Sequence, residues 1–580
     1  MDNPERITYF AATDARGKMR PFGIKAKDRS RHMYVIGKTG MGKSTLLENM
    51  AIQDLQNDEG MAFIDPHGST AEKLLSYVPE HRIKDVVYFA PFDMAYPIAF
   101  NVMEDVGYDK RHLVVSGLMS AFQKIWVDAW SARMEYILSN TLLALLEYPD
   151  STLLDVNRML VNKTFRNKVV AHVSDPIVKA FWEDEFAGYT DRYTQEATPA
   201  IQNKIGQFTS NPLIRNIVGQ PQSSFDMRKI MDEKKIFIAN LSKGRMGETN
   251  ADLLGSMLTT KMYLSAMSRA DDPVGLSNLP SFYFYVDEFQ SIANDSFADI
   301  LSEARKYKLA LTIAHQYVEQ MEENVRAAVF GNVGTTIAFR VGPFDAEVLE
   351  TIFKPKFSEQ DLVNLGFAQI YLTLMIDGVG SPPFSAVTLP PIEEPEMTYA
   401  DEIIEMSRKQ FARPRADVEN VIATQSADLT NAAKEDHKTR SQGRQAPEDR
   451  GRNGQGKRPE RTQERGARKS AERSEKASEP TDEKENNQEL GRALLDAMRD
   501  RTRAVSKQAR GDADAKKKDL SLKELKDRAS AEERKKKHEH TKNHEALKSA
   551  LSAALGGEKG PEVTDGVSET ELRKILEVED

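Results

Sequence analysis

The 580-residue chain contains no cysteine, which excludes disulfides and thiolate metal sites and suits a reducing compartment. It also lacks any run approaching the ~18–20 apolar residues that a membrane-spanning helix requires. Its polar opening, Met1-Asp2-Asn3-Pro4-Glu5-Arg6, carries no signal-peptide pattern. The expectation is a cytoplasmic protein with no direct membrane insertion, brought to the inner membrane face only by partners. Tryptophan is scarce: Trp126, Trp130 and Trp182 are the three in the chain, read as core or interface anchors rather than base-stacking platforms.

A strong excess of one charge sign is missing too, with 80 basic and 89 acidic side chains and a net charge of −9. The balance is uneven along the chain. The first 400 residues carry 40 basic against 51 acidic groups, and the last 180 carry 40 against 38. A body this acidic is not a general DNA-coating surface, so any nucleic-acid contact is expected on a local basic surface such as a channel.

What is present is an α/β pattern. Apolar runs at Met33–Ile36, Met61–Ile64, Val86–Ala90, Lys235–Leu241, Phe282–Val286, Leu309–Ala314 and Gly334–Arg340 read as strands alternating with helices. Two further strands are expected near 367–375 and 384–389, and residues 1–30 read as an entry strand. Residues 105–230 lack strand signals and show helical spacing, as in Leu138, Leu142, Leu145 and Leu146. The predicted organisation is a RecA-like P-loop core with a mainly parallel sheet (1–104 and 231–395), an inserted all-helical domain (105–230), and a largely disordered charged tail (396–580). Within the tail, Leu490–Met498, Leu547–Leu555 and Leu572–Leu576 (behind a Ser568–Glu571 capping box) read as docking helices. The basic run from Arg452 to Lys469 reads as solvated, and the His540/His544 pair carries little metal signal.

The octapeptide Gly37-Lys38-Thr39-Gly40-Met41-Gly42-Lys43-Ser44 fits the phosphate-binding pattern G-x-x-x-x-G-K-[ST] between an apolar strand and a helix beginning at Thr45. Its backbone N–H groups can wrap a phosphate chain at the positive end of that helix. Lys43 reaches the β/γ-phosphates and Ser44 ligates Mg²⁺. Phosphoryl transfer also needs a carboxylate for the ion, a group that activates water, and positive charge in the transition state. Asp287 and Glu288 close a buried strand and suit the ion shell and the general base. Asp65 and Gln316 close two other strands, where ligands of open α/β sheets gather. Asp65 is expected to help bind nucleotide and Gln316 to sense the γ-phosphate or the water. Arg305, before the Leu309 strand, is a candidate arginine finger for a neighbouring subunit, with Arg340 behind it. Ser242-Lys243-Gly244-Arg245-Met246-Gly247 reads as a mobile basic loop.

Together the P-loop, Asp65-Pro66-His67-Gly68, the helical insertion, Asp287-Glu288-Phe289-Gln290 and Arg305-Lys306-Tyr307 followed by Gln316 resemble the HerA/FtsK superfamily of ring ATPases. Within it, residues 15–395 resemble conjugative coupling proteins of type IV secretion systems (the TraG/TraD type). The resemblance implies a homo-hexameric, ATP- and Mg²⁺-dependent motor that moves single- or double-stranded DNA through a central channel. It implies Arg305 as a finger in trans and Gln316 as sensor, with a relaxase or secretion-channel proteins as partners of the tail. Anchored coupling proteins carry N-terminal transmembrane helices that are not seen here, which leaves an anchorless relative or a HerA-type repair translocase. The competing readings are an ATPase with protein cargo in secretion or pilus assembly, and a nucleotide-gated scaffold without significant turnover.

Overall fold

Strands whose residues are apolar at every position must be covered on both faces. The runs at Met33, Met61, Val86, Ile236, Phe282 and Leu309 meet that requirement in the computed structural model, which describes residues 3–14, 17–272 and 275–425. The strands are β1 (Ile7–Asp14), β2 (Met19–Lys25), β3 (Met33–Ile36), β4 (Gly60–Asp65), β5 (Val86–Phe89), β6 (Ile236–Asn240), β7 (Phe282–Val286), β8 (Leu309–His315), β9 (Thr335–Ala338), β10 (Gln369–Thr373), β11 (Met375–Ile376), β12 (Val379–Gly380) and β13 (Phe384–Thr388). Eleven of them form one sheet in the order β2-β1-β13-β10-β9-β3-β8-β7-β4-β6-β5, while β11 and β12 pair separately. From β9 to β5 every pairing is parallel, and from β2 to β9 every pairing is antiparallel.

The pleat sends alternate side chains to opposite faces. Tyr34, Ile36, Ala62, Ile64, Val87 and Phe89 enter a core shared with the helices that follow β5. Met33, Val35, Met61, Phe63, Val86 and Tyr88 enter a second core beneath the helix Lys43–Gln56. Between β5 and β6 the chain runs through helices from Tyr108 to Asp232, with no strand among the described residues. The longest of them, Tyr108–Ile125, packs against the helix Glu248–Met267 of the sheet region. No helix among the described residues is long and apolar enough to cross a membrane.

Two expectations are corrected. Residues 1–30 are not one entry strand but an antiparallel hairpin, β1 with β2, whose turn is tied by the Gly17 N–H donating to Asp14 Oδ1 at 2.7 Å. An unstructured tail does not begin at 396. Ala400–Phe411 is helical, with Ile403 fully buried, and residues 415–425 are helical again. The first of these helices covers the β5 edge, where the Tyr88 N–H donates to Ser407 Oγ at 2.9 Å. It thereby satisfies an amide that an uncovered edge strand would leave free. The three docking helices, the Arg452–Lys469 run and the His540/His544 pair lie outside the described residues.

Candidate active site

Four neighbouring strands, β3, β8, β7 and β4, deliver their carboxyl ends side by side. After β3 comes the glycine-rich loop, after β8 Gln316, after β7 Asp287-Glu288, and at the end of β4 Asp65. The loop is shaped by sterics. A Cβ on Gly37 would lie 2.5 Å from Phe339 Cβ, and Gly42, which caps the helix Lys43–Gln56, has φ +111°. Two backbone bonds hold the loop to the sheet: Gly37 N–H to the His315 carbonyl (3.3 Å) and Lys38 N–H to the Arg340 carbonyl (2.8 Å). Its N–H groups therefore open at a helix N-terminus, where the helix dipole favours an anion.

The cleft above the loop measures about 290 Å³ and is lined by Thr39, Gly40 and Gly42–Thr45 of the loop, with His67, Asp287, Glu288, Gln316 and Phe367. Lys43 is buried, and its Nζ donates to the carbonyls of Gly37 (2.6 Å) and Lys38 (3.2 Å). Burial pushes its pKa below the ordinary lysine value, opposed by the charges of Asp287 and Glu288. Ser44 Oγ donates to Asp287 Oδ2 at 2.9 Å. Burial raises the Asp287 carboxyl, while the Ser44 bond works in the other direction.

Glu288 sits in the left-handed region at φ +47° and starts the turn Phe289–Ser291. Its Oε1 accepts from Gln316 Nε2 and lies 2.9 Å from His67 Nε2. The His67 bond holds the Glu288 carboxyl below the ordinary glutamate range, and the reciprocal bond raises His67. Gln316 also accepts from Thr39 Oγ1 through its Oε1 at 2.9 Å. A continuous path thus runs from the loop through Gln316 to the carboxylate. Neighbouring His315 is fully buried, and burial depresses its pKa to about 3, so its imidazole stays neutral.

Most of the residues picked from sequence converge here, but Asp65, Arg305 and Arg340 do not line the cleft. Asp65 serves the backbone of its own turn. Its Oδ1 accepts from His67 N–H (2.8 Å) and its Oδ2 from Ala71 N–H (2.9 Å). It shapes the turn that presents His67 and does not itself line the cleft. Arg305 is exposed and precedes β8, at the opposite end of that strand from Gln316. Seven residues of strand at ~3.3 Å each separate it from its own cleft by roughly 23 Å. Arg340 contributes its backbone to the loop. Ser242–Gly247 is not a mobile loop but a helical turn, with Lys243 paired to Glu248 and Asp252 at 3.1 Å each.

Sequence reasoning missed two residues. His67 stands in the strand-end motif Asp65-Pro66-His67-Gly68, where residue type alone points to the carboxylate. Lys124, at the end of the helix Tyr108–Ile125, donates to the Gln290 and Ala293 carbonyls of the turn behind Glu288. Burial lowers its pKa to about 8. No local motif marks it, because its partners lie more than a hundred residues away.

The parallel sheet, the loop with its lysine, and the hydroxyl–carboxylate pair define a P-loop nucleotide-binding protein. The chain belongs to the family described as the type IV secretion-system coupling protein DNA-binding domain, whose model matches residues 19–352. Among solved structures it is similar to the plasmid coupling protein TrwB in complex with ADP and Mg²⁺, at 15% identity over 68% of this chain and 98% of that one, TM-score 0.50. It also matches TrwB in complex with a non-hydrolysable GTP analogue (14% identity, 68% and 98% covered, TM-score 0.49). A third match is VirB4 of Thermoanaerobacter pseudethanolicus (12% identity, 67% and 98% covered, TM-score 0.45). No curated protein matches the chain.

Proposed function

We propose that the chain is an ATP-hydrolysing motor that binds DNA and moves it as a conjugative type IV secretion coupling protein, working as a homo-hexameric ring. The observation that carries this reading is the meeting of the P-loop, Gln316 and Asp287-Glu288 in one cleft at three adjacent strand ends. The family description supports DNA as the polymer, and the TrwB structure with ADP and Mg²⁺ supports the nucleotide and the ion. In this reading residues 105–230 form a helical domain inserted into the motor, and the tail recruits a relaxase or channel proteins.

The residues fit both groups. The loop offers backbone donors and a lysine to the phosphates, and Ser44 and Asp287 offer the hard oxygen donors that Mg²⁺ takes. Mg²⁺, when bound, neutralises charge on the phosphate oxygens. The chain does the rest. Lys43 fixes the phosphates from a site where burial strengthens its Coulomb field. Glu288, held ionised by His67, is the base that takes a proton from water. Both its contacts fall on Oε1, and among the described residues none falls on Oε2, which is the oxygen available for that proton. Gln316 reaches the carboxylate and the loop at once, so it reports phosphate occupancy to the base. Arg305 is too far from its own cleft to act there, which supports a finger role in a neighbour's.

The test is ATP hydrolysis by the full chain at low salt with and without single- and double-stranded DNA. DNA is expected to stimulate turnover, and Lys43→Ala to abolish it. Turnover indifferent to both forms of DNA removes the DNA-motor reading. Capture of pilus or channel proteins together with that indifference favours the protein-cargo alternative.

A further inference from the structure

One cleft-lining residue has no part in phosphate, ion or water chemistry. Phe367 borders the same cavity as Thr39, Lys43 and Ser44, yet it is 73% exposed. Leaving a phenylalanine ring in water forgoes the ~1.5–3 kcal/mol gained on burying it. The ring is not on a loose segment. Leu365 on one side is buried. On the other, Ala368 donates its N–H to the Met41 carbonyl of the P-loop (3.3 Å) and accepts from Thr388 N–H (2.9 Å). Gly366 N–H is taken by Gln369 Oε1 at 2.8 Å, and Ala368 is held at φ +61°. The backbone on both sides is therefore fixed to the sheet and to the loop that holds the phosphates, with the ring presented to the cleft. Phe344 is equally exposed but does not border the cavity.

We infer that Phe367 is the stacking platform for the base of the bound nucleotide. The inference rests on the reading of this cleft as a nucleoside-triphosphate site. With the phosphates fixed at Lys43 and Ser44, the base is the part of the ligand with a flat apolar face to cover. The other ring that borders the cavity, His67, is engaged with Glu288. A platform tied down before binding loses little entropy when the base arrives. Because every base offers a π-face, the site stacks adenine and guanine alike and contributes affinity rather than base selection.

Binding of ADP, GDP and inorganic tripolyphosphate to the full chain in Mg²⁺, measured by calorimetry, tests it. Phe367→Ala is expected to weaken ADP and GDP by about five- to fifty-fold and to leave tripolyphosphate unchanged, with Phe367→Trp restoring the nucleotides. Unchanged ADP and GDP affinity overturns the assignment. An equal loss for tripolyphosphate, or a change in oligomer mass by light scattering, overturns it in favour of a structural or subunit-contact role. A wild-type chain that binds none of the three ligands overturns instead the reading of the cleft on which the assignment rests.

Discussion

Replacing Glu288 by glutamine isolates the proton-accepting step from everything else the residue does. The side chain keeps its length, and its amide oxygen still accepts from His67 and Gln316, the two contacts made by Oε1. Glutamate and glutamine share the same backbone cost at φ +47°, so the turn Phe289–Ser291 has no new reason to rearrange. What disappears is the carboxylate's capacity to take a proton. A positioned general base contributes roughly 10²–10⁴ in rate, or about 3–5 kcal/mol of barrier. Glu288→Gln should therefore lower kcat by that factor, while MgADP affinity and thermal midpoint stay at wild-type values. Phosphate release in the presence of DNA and calorimetric nucleotide binding measure the two sides. A variant that hydrolyses ATP within about tenfold of wild type, with binding intact, refutes the assignment of Glu288 as base.

Three other outcomes follow from the same geometry. His67→Ala removes the largest influence that lowers Glu288, leaving burial to raise it. A base acts when ionised, so activity falls as pH drops through its pKa, and the acid limb of kcat should move to higher pH; an unmoved limb in a folded variant removes His67 from this role. Mixing Arg305→Ala with Lys43→Ala subunits should recover activity, since some interfaces then hold both intact groups, and no recovery in verified mixed rings rejects a finger in trans. Arg29 and Asp54 form a bidentate pair at 2.7 and 2.8 Å, both fully buried, with Tyr285 donating to the same carboxylate at 2.5 Å. Arg29→Met strands that carboxylate and should cost about 3–5 kcal/mol in urea unfolding; a loss below about 1 kcal/mol would show that the carboxylate had found other compensation.

The readable parts of the sequence were those whose cause is local. A strand covered on both faces must be apolar throughout, so Met33–Ile36 and Phe282–Val286 announce themselves. The edge elements do not. β2 is exposed along its first half and has little apolar signal. The helix Ala400–Phe411 hides in a charge-dense segment because one buried face, at Ile403 and Ser407, is enough to dock it. The same division runs through the active site. The P-loop and Asp287-Glu288 are contiguous motifs whose chemistry follows from residue type. Asp65 could not be assigned by type, because whether a carboxylate at a strand end faces a ligand or its own turn depends on where the N–H groups of His67 and Ala71 point.

Strand order decides the remaining residues. β8 lies between β3 and β7 although more than 200 residues separate it from β3 in the chain. That insertion is what puts Gln316 between Thr39 and Glu288. In the same way β4 beside β7 brings His67 to Glu288, and the helical segment after β5 brings Lys124 onto the carbonyls behind it. The turn that carries the proposed base is consequently gripped from two directions, by Lys124 from the helical segment and by Lys243, whose Nζ donates to Ser291 Oγ at 2.9 Å. Movement of the helical segment against the sheet must therefore pull on residues 290–293, next to Glu288. In the proposed motor this is a mechanical path by which events outside the cleft can reach the proposed base without any residue of that segment lining the cleft.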